Sequence, residues 1–189
     1  MKILTICAML ACLALPATAQ VLDFGAARKV VIDTKKTVAI IADASFLAEK
    51  EQGILKGLRE TIPFYGALAL SPSEGLYVEW LNASAQFHSR ETARAAAMAH
   101  CEANRKPDSE GCVVVLEVVP RGSDEGLALT LSAPAASAMR KEYRKLDKPR
   151  AFAISDATGN YGLARGDGGR ALAACASQGA TDCRIVIAD

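Results

Sequence analysis

The sequence predicts an α+β domain made of two ββαβ units, with a mainly antiparallel sheet and helices packed on one face. Three observations carry that prediction. The pattern Ser-x-x-x-Gly-x-Tyr occurs at Ser71–Tyr77 and again at Ser155–Tyr161. Each occurrence leads into an alanine-rich run ending in cysteine, Cys101 in the first and Cys175 in the second. Each run is followed by a further cysteine, Cys112 or Cys183, that opens an apolar, β-branched stretch.

The first nineteen residues read as an export signal. Lys2 supplies the positive end, Ile3 to Leu15 the apolar core, and Ala17-Thr18-Ala19 a small-residue motif that directs cleavage after Ala19. The core is too short for a permanent membrane span. Lipidation at Cys12 would leave an even shorter core, so cleavage is the reading adopted, with a periplasmic or secreted product. Cleavage leaves 189 − 19 = 170 residues, enough for one domain. That domain divides into a hairpin and helix at 20–64, a first unit at 65–119, a connection at 120–149 and a second unit at 150–189.

The signal removes one lysine and no acid, so 22 − 1 = 21 basic residues face 21 acidic ones. A general nucleic-acid binder needs a basic excess, and none is present. No other long uncharged run occurs, so no transmembrane segment is expected in the mature chain. Cys7 and Cys12 leave with the signal, and the four remaining cysteines allow three pairings. The correspondence between units favours Cys101–Cys112 and Cys175–Cys183. Four thiolates could also hold zinc, but no C-x-x-C spacing is present and export favours oxidation. No metal and no cofactor are therefore expected.

Taken in order, Lys29–Ile32 and Thr37–Ile41 are short β-branched runs around the polar Asp33–Lys36, which predicts a hairpin. Asp43 or Ser45 can cap a helix reaching Glu60, with Leu47, Ile54, Leu55 and Leu58 on one face; Pro63 ends it. Tyr65–Leu70 and Leu76–Leu81 read as two strands about a turn formed by Pro72 and Gly75. Ser89 caps a helix from Arg90 to about Ala103, whose Ala93, Ala96, Ala97, His100 and Cys101 make a small-residue stripe. Val113–Val119 is a strand suited to the centre of a sheet. Leu127–Leu131 reads as another, followed by a helix from Pro134 to about Leu146 capped by Ser132. The second unit repeats strand, turn, strand, helix and strand from Arg150 to the last residues.

Subtracting one unit from the other separates scaffold from candidate site. Ser71 and Ser155, Gly75 and Gly159, and Tyr77 and Tyr161 stand at a constant offset of 84, so they serve the fold. The glycines suit a turn with positive φ, and the tyrosines suit packing at the hairpin. From the turn serine to the helix cysteine, the first unit spans 30 residues and the second 20. The surplus falls around Trp80–Arg90. It makes Glu79, Trp80, Asn82, Gln86, His88 and Arg90 the candidate binding residues. A longer loop covering a sheet edge is the structural alternative.

His100 aligns with Ala174 and reads as a packing histidine on the stripe. No G-x-S-x-G elbow surrounds a serine, and no catalytic residue is assigned. Gly166–Gly169 lacks the lysine of a phosphate loop and suits a helix start. Arg140, Lys141, Arg144 and Lys145 form a basic helix end that could touch an anionic surface.

The doubled pattern resembles the bacterial exported domain of unknown function 4189, over about residues 65–119 and 151–187. The resemblance implies architecture and export and brings no catalytic motif. The whole chain is also similar to small exported alphaproteobacterial proteins, some of which carry the name 5-aminolevulinate synthase. True synthases are large pyridoxal-phosphate enzymes with a Schiff-base lysine. No such motif occurs in these 170 residues, so that activity is not expected. The function expected is a non-catalytic module binding an envelope component or another protein. The alternatives are a small hydrolase using His88 or His100 with a carboxylate, and an inhibitor of a secreted enzyme.

Overall fold

The computed structural model describes residues 20–32, 36–123 and 126–189. The export signal at 1–19 and most of the Asp33–Lys36 turn lie outside the described residues. In chain order the elements are α1 (Phe24–Val30), β1 (Thr37–Ile41), α2 (Glu49–Leu58), β2 (Gly66–Leu70), α3 (Arg90–Asn104), β3 (Val113–Pro120), α4 (Ala133–Lys141), β4 (Arg150–Ile154), β5 (Tyr161–Arg165), α5 (Gly168–Ala176) and β6 (Arg184–Ala188). The class is α+β, and every strand pairing is antiparallel. The strands fall into two sheets of three, ordered β1-β3-β2 and β5-β4-β6.

The two units follow one path. β2 pairs with β3 and β4 with β6, and each ladder shifts register at the same place, Leu68/Ala69 in one and Phe152/Ala153 in the other. Those positions are again 84 apart. Cys101–Cys112 and Cys175–Cys183 are disulfides, each tying the end of a helix to the start of the strand that follows. Gly75 and Gly159 have φ of 69° and 75°. Ser71 Oγ donates to Glu110 O at 2.7 Å, while Ser155 Oγ donates to Asp182 Oδ1 at 2.5 Å. Both serines thus pin the turn to the loop ahead of the second cysteine.

Side-chain alternation decides which helix meets which face. Ala67 and Ala69 turn towards α3 and its Ala93, Ala97 and Cys101. Ala151 and Ala153 do the same towards α5 and its Ala171 and Cys175. Small residues on both sides let helix and sheet approach closely. The α3 and α5 helices therefore each lie on one face of their own sheet, as expected. The opposite faces carry the large residues and are covered too. Leu68 and Leu70 pack with Leu47, Leu55 and Val115, and Phe152 and Ile154 with Ala27, Met139 and Tyr143.

Three sequence expectations fail locally. Lys29–Val30 end the helix α1 instead of forming a strand, because Asp23 Oδ1 caps it through Ala26 N–H at 2.9 Å and Ala27 is fully buried. β1 consequently takes β3 as its partner, not a hairpin mate. The α2 helix starts at Glu49, later than a cap at Asp43 or Ser45, and leaves Ile54 38% exposed. Asp43 Oδ1 accepts the Ser45 N–H in a local turn instead. Leu76–Leu81 and Leu127–Leu131 are not strands. Leu76, Leu129 and Leu131 are buried as anchors of irregular chain, which mimics strand alternation in sequence. Tyr161 stacks on Phe152, but Tyr77 is 67% exposed and packs no hairpin.

Candidate functional site

The surplus of the first unit is not a single loop. Ser84 pairs with Ala67, while in the second unit Ala164 pairs with the equivalent Ala151. Ser84 therefore stands where Ala164 does. Four surplus residues precede this position, in a bend through Val78–Leu81. Six follow it, matching α3 at 15 residues against α5 at 9. After the bend the chain runs along β2, with Phe87 N–H donating to Tyr65 O at 3.1 Å. Ser89 then caps α3 through Thr92 N–H at 3.1 Å.

That path scatters the six predicted residues. Glu79 is exposed on the bend. Trp80 is half-buried, its ring edge-on to His100 at 6.3 Å, and its carbonyl bonds His100 Nε2 at 2.8 Å. Asn82 lies on the rim of an apolar cavity of about 290 Å³ between the end of α2 and residues 81–85. Gln86 is exposed with φ of 64°, and its carbonyl lies where a side chain on Gly159 would fall. His88 and Arg90 are placed inside the structure, in two different networks.

His88 is 1% exposed. Its Nδ1 accepts the Ser132 N–H at 3.1 Å, which puts the proton on Nε2, and Nε2–H donates to Asn160 O at 3.0 Å. One neutral ring thereby joins the first unit, the cap of α4 and the turn of the second unit. Burial pushes its pKa below the ordinary histidine value, outweighing the Asn160 carbonyl and the nearby Asp156 and Asp182. Both histidines bond backbone groups.

Arg90 belongs to a network that sequence reasoning missed. Glu117 stands in the middle of β3, 6% exposed. It accepts Arg90 Nε at 2.6 Å, Arg90 Nη2 at 3.2 Å and Arg94 Nη1 at 2.7 Å. Burial raises the Glu117 pKa, but the two guanidiniums outweigh it and hold the carboxyl below its usual range. Two signals could have found it. Glu117 is the single acid in the apolar run Val113–Val119, and its counterpart at the cysteine offset of 71 is Ala188.

Two cavities meet beside this network, above the start of α3. The first, of about 420 Å³, is walled by Ile40, Tyr65, Arg90, Glu91, Val119 and Ser123 among others. The second, of about 310 Å³, reaches Gln20, Thr92, Asp156, Arg184 and Val186. Ser89, Leu127 and Thr130 belong to both, so the two adjoin as one cleft between the units. Burial, helped by the Glu91 charge, raises the Tyr65 pKa to about 12, which keeps it a neutral hydroxyl. Arg184 Nε bonds Asp156 Oδ2 at 2.9 Å at the far end. The cleft thus offers hydroxyls, a guanidinium and ion-paired carboxylates beside apolar patches, a set suited to holding a polar chain.

The basic cluster sits elsewhere. Arg140 Nη2 donates to Val31 O, tying α4 to the end of α1. Arg28, Arg140 and Arg144 line a small cavity beside Phe24. Among the described residues, no group of three or more His, Cys, Asp or Glu side chains is placed to hold a metal ion. No helix among them is long and apolar enough to cross a membrane. Comparison with protein-family models, curated proteins and solved structures finds no match.

Proposed function

We propose that the chain is an exported, disulfide-stabilised binding module of the cell envelope, and that it takes an extended polar ligand in the cleft above the start of α3. The observation that carries this reading is the junction itself. Two adjoining cavities share Ser89, Leu127 and Thr130, beside an ion-pair network that the second unit lacks. Export is supported by the signal-like first nineteen residues and by two disulfides, which persist in oxidising compartments. Internal repetition, and with it the resemblance to the exported domain of unknown function 4189, is supported by the matching register shifts in the two ladders.

Within the predicted stretch 79–90, the binding role falls to Arg90. His88 serves the fold, and Trp80 and His100 brace the bend against α3. The test is capture from a periplasmic extract with the oxidised protein as bait and Thr130→Trp as control. That indole fills both cavities without touching Glu117. A bound species lost in the variant supports the cleft, and a species retained equally by both overturns it.

A further inference from the structure

The outer edge of β1 is open. Lys36 O accepts the Arg121 N–H at 2.8 Å, and Ala42 N–H donates to Val115 O at 3.1 Å. Even-numbered residues of β1 therefore bond β3, and Thr37, Ala39 and Ile41 point their N–H and C=O groups away from the sheet. The outer flank of β2 is bridged by Ser84, and that of β6 by Leu22. Among the described residues, β1 carries none of the devices that usually blunt an edge. Thr37–Ile41 contains no charge and no proline, and its ladder has no bulge. Val38, Ile40 and Ile41 are 41%, 37% and 37% exposed.

We propose that β1 pairs antiparallel with β1 of a second copy of this chain, joining two three-stranded sheets into one of six. The strand is complementary to itself. A two-fold axis at Ala39 sets Thr37 opposite Ile41 and Val38 opposite Ile40, and the outward N–H and C=O groups of residues 37, 39 and 41 meet in phase. The charges at its ends match as well. Lys36 precedes the strand and Asp43 follows it, so each Lys36 end lies beside the Asp43 end of its mate. A parallel pairing would instead set Lys36 beside Lys36.

The axis of such a pair is perpendicular to the sheet, so both copies present the same face. Ile40 is in the wall of the cleft, and the two clefts would open side by side. The pairing rests on β1 alone and stands whether or not the cleft binds. A five-residue strand pair is small beside a standard protein interface, so the association is weak and concentration-dependent.

The experiment is sedimentation equilibrium of the oxidised protein from micromolar to millimolar concentration, with amide hydrogen exchange at both ends of the range. The expected result is a reversible dimer in which the Thr37, Ala39 and Ile41 amides slow with concentration, while Val38 and Ile40 do not change. Ala39→Pro removes an outward N–H and leaves the β3 ladder its bonds; Ile40→Lys places like charges near the axis. Each variant, if its melting curve shows it folded, should be monomeric throughout. A wild type that stays monomeric overturns the proposal. So does a dimer whose odd-numbered amides stay unprotected, or one that survives both variants.

Discussion

His88 and Ser132, 44 positions apart, share a hydrogen bond in which the imidazole Nδ1 accepts the backbone N–H at 3.1 Å. That bond exists only while the ring is neutral, because a protonated Nδ1 would face a second donor. Burial lowers the folded-state pKa of His88, while the unfolded chain titrates near the ordinary value of about 6.5. Below that pH the unfolded state binds the proton first. The stabilisation is therefore complete above pH ~6.5 and is lost as pH falls, by up to about 1.4 kcal/mol per pH unit until the folded pKa is reached. Chemical denaturation at a series of pH values checks this, and His88→Gln should flatten the slope.

Glu117 is the buried partner in its network, whereas Arg94 is about half exposed at 47%. Arg90 supplies two of the three bonds to the carboxylate. Arg90→Ala should therefore destabilise by roughly 1–3 kcal/mol, and Arg94→Ala by less than about 1 kcal/mol. A double-mutant cycle with Glu117→Gln measures each coupling directly. The Glu117 pKa is lowered in the fold. Its contribution is thus present above the ordinary glutamate pKa and lost as pH falls through the folded value.

Two glycines should respond to alanine with opposite signs. A side chain on Gly162 would enter the backbone of α5 at Ala171 and Cys175. Gly162→Ala should cost about 3 kcal/mol or more, since neither backbone can yield cheaply. Gly53 lies exposed in the interior of α2 with nothing within 4 Å of an added carbon. Gly53→Ala should stabilise by about 0.5–1 kcal/mol. Thermal melts of the two variants decide both.

The disulfides close loops of similar size, with sequence separations of 11 and 8. Loop-closure entropy then assigns each roughly 2–3 kcal/mol. Cys101→Ala/Cys112→Ala and Cys175→Ala/Cys183→Ala should lose comparable stability in urea titrations. A much larger loss in one pair would mark that unit as the weaker scaffold.

The doubled motifs were legible because they impose local rules. Gly75 and Gly159 need positive φ, Ser89 and Ser132 cap helices, and paired cysteines must meet. What the sequence hid was set by distant partners. Lys29–Val30 have strand composition, yet Asp23 and the burial of Ala27 make them helical. Leu129 and Leu131 alternate like a strand while anchoring irregular chain. His88 looked like a surface candidate because its partners, Ser132 and Asn160, lie 44 and 72 positions away. Glu117 was readable as an acid inside an apolar strand, but Thr130 was not. Its place in the cleft depends on how the connection crosses the junction of the two units.

The most direct measurement is a ¹H–¹⁵N NMR titration of the oxidised protein with the species captured from the periplasmic extract. The expected result is saturable shifts concentrated at Ser89, Arg90, Leu127 and Thr130, abolished in Thr130→Trp. Saturable shifts centred elsewhere and unchanged in that variant would contradict the cleft as the binding site.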